Sequence, residues 1–128
     1  MDVQQYSGRT LAFLGDAVWS LIVRKYLIET GDTKGKVLQK DAIAYVSAKA
    51  QASFYDALHN ENFFTEEEEE LYRRGRNSHS GAVPRNTDVQ TYRMSTGFEA
   101  VLGGLDLENK QDRIQEIFQA VIKIKEQG

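Results

Sequence analysis

Thr10-Leu11-Ala12-Phe13-Leu14-Gly15-Asp16-Ala17-Val18-Trp19-Ser20-Leu21-Ile22-Val23 contains a single charged residue, Asp16. Leu11, Leu14, Val18 and Ile22, continued by Tyr26, recur at three and four, the period of one face of an α-helix. The stretch is apolar around most of its circumference, so a largely buried helix with one carboxylate in it is expected. Met94 to Leu105 repeats the pattern: Met94, Phe98, Val101, Leu102 and Leu105 keep helical spacing, and Glu99 is the only charge. Working outward, Leu38, Ala42, Tyr45 and Val46 predict a further helix, as do Ala50, Phe54, Ala57 and Leu58, and then Ile114, Ile117, Phe118, Val121 and Ile122. Thr65 followed by Glu68 is a capping-box pattern, and the acids Glu66 to Glu70 suit a helix N-terminus, which predicts a helix over Glu66 to Arg74. Breaks are expected at Gly31 to Gly35, His59 to Thr65, Gly75 to Thr87 and Asp106 to Asn109. No run alternates with period two for long enough to make a strand. The expected fold class is all-α, with about six or seven helices.

The totals bound the rest. A chain of 128 residues is one domain's worth and long enough to bury a core unaided, so a single domain over residues 1–128 is expected. There is no cysteine, which excludes disulfides and thiolate metal sites and fits a reducing cytoplasm. No membrane span or signal-peptide pattern is seen, so the expected location is the cytosol. The formal net charge of -3 speaks against a general affinity for polyanions. The distribution says more. Arg73, Arg74, Arg76, Arg85 and Arg93, with His79, fall between Tyr72 and Arg93 against one acid, Asp88. This is a local basic strip on an acidic body.

Asp16 and Glu99 carry the chemical question. An isolated buried carboxylate is costly and must find a partner or take a proton. One helical turn away the neighbours are small: Ala12 and Ser20 around Asp16, Ser95 and Gly103 around Glu99. Small neighbours leave room for another helix or an ion. In one reading the two helices pack side by side and the acids share a divalent cation, with oxygen ligands that suit Mg²⁺ or Mn²⁺. In the other, Asp16 caps a helix that starts at Ala17, and Glu99 pairs with Arg9 or Arg93. His59, near a helix end, is expected to satisfy carbonyls there, and Trp19 to lie in the core.

At these residues the sequence resembles the ribonuclease III family. Leu11 to Val18 (LAFLGDAV) is similar to its signature helix, and Phe98 to Gly103 (FEAVLG) to its second catalytic helix. The similarity is greatest to the short Mini-ribonuclease III form, the nuclease domain alone. It extends through Val46 to Lys49, Phe63 to Thr65 with the glutamate run, Arg74 to Asn77, and Asn86 to Arg93 (NTDVQTYR). The resemblance implies an all-α nuclease fold, a homodimer, and Mg²⁺-dependent cleavage of double-stranded RNA, with Mn²⁺ able to substitute. It implies 5′-phosphate products and, as substrate, precursor 23S ribosomal RNA, with a ribosomal protein as the partner that would present it. Asp16 and Glu99 fall on family metal-binding and catalytic acids. Two further family acids are replaced here by Ala12 and Thr96, and no double-stranded-RNA-binding domain is expected.

On this basis Arg73, Arg74, Arg76, His79 and Arg85 are expected to meet phosphates, the alternative being a solvated basic face. Lys49 and Gln51 are further candidates for RNA contact, the alternative being exposed polar positions of a helix. Phe13 falls where the family inserts an aromatic into the partner subunit, the alternative being core packing. Two other functions stay open. One is a ribonuclease III-like RNA-binding module without chemistry. The other is a helical scaffold in which both acids are structural.

Overall fold

The computed structural model describes residues 2–31, 34–78, 83, 85 and 87–127. They form a short 3-10 turn, Val3–Gln5, and six α-helices: α1 (Gly8–Thr30), α2 (Gly35–Val46), α3 (Ala48–Asn60), α4 (Glu66–Arg76), α5 (Val89–Leu107) and α6 (Gln111–Gln127). The all-α expectation holds. Side-chain oxygens cap four of these helices: Ser7 on α1, Ser47 on α3, Thr65 on α4 and Asp88 on α5. Each satisfies a backbone N–H of the first turn, which helix geometry otherwise leaves without an acceptor. The predicted capping box is complete, with Glu68 reaching back to the Thr65 N–H at 3.0 Å. Two helices end through an asparagine in the left-handed region, Asn62 after α3 and Asn109 after α5. There Phe63 N–H donates to Leu58 O, and Lys110 N–H to Leu105 O, closing the chain over the helix end.

Helix α5 is the central element, with α1, α3, α4 and α6 packed around it. It is buried continuously from Ser95 to Phe98 and again from Ala100 to Leu105. Trp19 lies in the core as expected, edge-on to Phe98 and Phe118, and its indole N–H donates to Tyr45 O at 2.9 Å. That bond removes the one polar group that burying a tryptophan would otherwise strand.

Glycine sets how closely α1 and α5 approach. A Cβ on Gly15 would sit 1.7 Å from the Glu99 carbonyl oxygen, and one on Gly103 would sit 1.9 Å from that of Leu11. The two helices therefore touch main chain to main chain. Gly75, read from the sequence as a break, is instead inside α4 and buried. A Cβ there would meet Ala100 Cβ at 2.6 Å, so this glycine serves the packing of α4 on α5 rather than ending a helix.

One buried charge pair ties α4 to α6. Glu68 is only 3% exposed and receives two hydrogen bonds from Arg113, at 2.8 and 2.9 Å. Arg113 also donates to Phe63 O and lies over the Phe63 ring. Burial pushes the Glu68 carboxyl up, but the Arg113 guanidinium and the Thr65 N–H outweigh it and hold it below the ordinary value. The glutamate run is thus a solvated face at Glu66, Glu67 and Glu70, but not at Glu68.

Candidate active site

Asp16 lies in the middle of α1, whose N-cap is Ser7, so the reading of Asp16 as a helix cap falls. It is exposed rather than buried. Glu99 projects from α5 and is partly buried. Because Gly15 seats α1 directly on the Glu99 carbonyl, the next residue along α1 is carried to the Glu99 side chain. The two carboxyl groups come within hydrogen-bonding reach of each other. Burial first, then the hydrogen bond and the charge of Asp16, push the Glu99 carboxyl up to about 8, while the Gln51 amide pulls it down. The side chains that act on this carboxyl include Asp16 and Gln51.

The structure corrects the reading of Gln51 as an RNA contact or an exposed polar position, because it is 1% exposed. Its Nε2 donates to Val46 O at 3.1 Å and to Glu99 Oε2 at 3.3 Å. A direct RNA contact is therefore closed to it, and its place is beneath Glu99. The signal was present in the sequence: Gln51, Phe54, Tyr55 and Leu58 share one face of α3, and that face is the buried one.

At the positions of the two missing family acids, Ala12 and Thr96 are both buried, and the Thr96 hydroxyl donates to Tyr92 O. Among the described residues no group of three or more histidine, cysteine or acidic side chains gathers to hold a metal. The carboxylate set is the pair alone. That pair suits a hard divalent cation. Glu99, partly buried beside the Asp16 carboxyl, is held toward its protonated form, and a dication would relieve that conflict.

The basic strip divides. Arg73 is exposed and pairs with Glu70 at 2.6 Å. Arg85 is exposed in a turn, and Lys49 is exposed on α3. Arg74 is committed to the fold instead. Its guanidinium donates to Val3 O at 3.0 Å and also to Tyr6 O, binding the N-terminal turn to α4. Arg76 is half-buried, with its Nε buried and unbonded. His79 lies outside the described residues. His59 does not cap carbonyls through its ring: Nδ1 meets Glu69 Oε2 at 2.7 Å, and Glu69 also accepts from the Tyr55 hydroxyl. Phe13 is 82% exposed, so core packing within the chain is excluded. Leu21 and Ile28 are exposed on the same helix.

The profile described as the Ribonuclease III domain matches residues 9–110. The chain belongs to the ribonuclease III family. Within it, the relatives place the chain in the Mini-ribonuclease 3 branch. It is 45% identical over 122 residues to the Mini-ribonuclease 3 of Enterococcus faecalis, covering 95% of this chain and 92% of that one. It is 48% identical over 117 residues to that of Streptococcus pneumoniae, covering 91% of each. A crystal structure of a Fusobacterium nucleatum protein superposes with a TM-score of 0.84 at 36% identity, over 97% of this chain and 98% of that one.

Proposed function

We propose that this protein is a divalent-metal-dependent endoribonuclease that cuts double-stranded RNA, with Asp16 and Glu99 as its catalytic, metal-holding pair. The observation that carries the reading is the meeting of the only two charged side chains of two apolar helical stretches, far apart in the sequence, at one glycine-mediated crossing. A Mg²⁺ ion held there, or Mn²⁺ in its place, supplies Lewis-acid charge for water attack on a phosphodiester. The protein's own part is to hold two oxygen ligands on rigid helices. Asp16 faces solvent, where a phosphate can reach, and Glu99 stands behind it with Gln51 fixing one oxygen. Hydrolysis leaves 5′-phosphate and 3′-hydroxyl ends.

The exposed cations Arg73, Arg85 and Lys49, with Arg76 and His79, are the residues proposed to meet the backbone of an A-form duplex, which is recognised mainly by shape. Arg74 is left out because its guanidinium is engaged by carbonyls of the same chain. The exposed Phe13, with Leu21 and Ile28, supports a homodimer through α1, in which two sites address opposite strands. Precursor 23S ribosomal RNA, presented by a ribosomal protein in the cytoplasm, is the substrate proposed from the family resemblance. No helix among the described residues is long and apolar enough to cross a membrane.

The test is incubation with a long RNA duplex, with and without Mg²⁺. Metal-dependent fragments are expected, and Asp16→Asn should abolish them. Protection of the duplex without cutting would make the protein a binding module instead.

A further inference from the structure

Gln51 Oε1 is buried and has no hydrogen-bond partner among the described residues. A buried acceptor left unbonded costs about 1–3 kcal/mol. The amide orientation is not free to relieve it. Val46 O is a backbone acceptor with no proton to give, so turning the amide over would set an oxygen against an oxygen there. Val46 ends α2 and Gln51 lies in the first turn of α3, so the amide is clamped at the junction of two helices. Its two polar atoms share one carbon, so the orphan oxygen is at most one amide's width further from Glu99 Oε2 than the 3.3 Å of Nε2.

We infer that Gln51 is the positioning residue of the metal site. Its N–H fixes Glu99 Oε2, and its otherwise unbonded carbonyl oxygen is the third protein oxygen presented to the cation, directly or across one water. The inference rests on the reading of Asp16 and Glu99 as metal-holding. Charge balance favours an amide here. A neutral third oxygen leaves the two carboxylates matched by one dication, whereas a third carboxylate would add repulsion to a pair already in conflict. This accounts for a glutamine at a position with the burial of a core residue.

The experiment compares Mn²⁺ affinity, by calorimetry and by thermal stabilisation, in wild type, Gln51→Met and Gln51→Glu, after checking helicity in EDTA. Gln51→Met keeps the length and removes both polar atoms, and its Mn²⁺ affinity should fall about ten-fold or more. Gln51→Glu keeps an oxygen but adds repulsion in the metal-free protein, so it should melt lower in EDTA and yet bind Mn²⁺ at least as tightly as wild type. A purely structural glutamine would lower the EDTA melting temperature of the Met variant and leave its Mn²⁺ affinity unchanged, and that result overturns the inference. So does a Glu variant as weak as the Met variant.

Should the variants not fold, the wild type carries the test by carbon NMR during Mg²⁺ titration. The Gln51 side-chain carbonyl should move together with the Asp16 and Glu99 carboxyl carbons. A Gln51 signal that stays fixed while the other two move sinks the inference alone. If none of the three moves, the metal-holding pair itself is refuted, and the inference with it.

Discussion

Replacing Asp16 by asparagine tests the site without any RNA. In the metal-free protein, burial and Asp16 push the Glu99 carboxyl from 4.5 to about 8. The folded state therefore keeps a proton that the unfolded chain releases near the ordinary carboxylate value. The stability linked to that proton is fully present below the unfolded pKa and is lost as pH rises through the folded one. Across the window the loss is on the order of 4–5 kcal/mol. Asp16 acts through both a hydrogen bond and its charge, so removing that charge should return part of this loss, on the order of 1–2 kcal/mol above the window and close to nothing below it. For a chain of this size that is roughly 4–8 °C in Tm. The assay is thermal unfolding in EDTA at about pH 5 and about pH 8.5, chosen to bracket the window. Wild type should lose stability between the two, and Asp16→Asn should lose less. With Mn²⁺ added, only wild type should recover. A variant that tracked wild type at both pH values in EDTA would show that Asp16 does not act on Glu99, and the argument from convergence would be refuted.

Gly15→Ala should destabilise by about 3 kcal/mol or more, because the new methyl collides with main chain that cannot move aside; denaturant unfolding measures it. Arg113→Met leaves Glu68 buried without its cation and should cost about 3 kcal/mol near neutral pH. Since Glu68 is held low in the wild type, the variant should also show a smaller loss of stability on acidification, which a pH series of melts will detect. Phe13→Asp should weaken self-association about 100-fold or more in sedimentation while helicity is retained, as expected for an aromatic anchor at the centre of an interface.

The sequence carried the helices because their information is local. The period of Ile114 to Ile122, the lone charges in α1 and α5, and the Thr65 to Glu68 box each specify structure within a few turns. It singles out Asp16 and Glu99 because charge is conspicuous in an apolar helix. What it did not carry was partnership between distant segments. Gly75 looks the same whether it stops a helix or admits one. Arg74 and Arg73 are neighbours of one type, yet a helix turns one toward the N-terminal turn and the other toward water. Gln51 reads as a surface residue by its polarity, while its place on the face shared with Phe54 and Leu58 buries it.

The crossing at Gly15 and Gly103 makes the distance between the two acids a property of backbone rather than of side-chain filling. The interior can therefore drift in sequence, trading one aliphatic residue for another, without retuning the chemistry. The same arrangement offers an engineer wide freedom to raise thermal tolerance through the core, and almost none at two positions that bear no side chain at all.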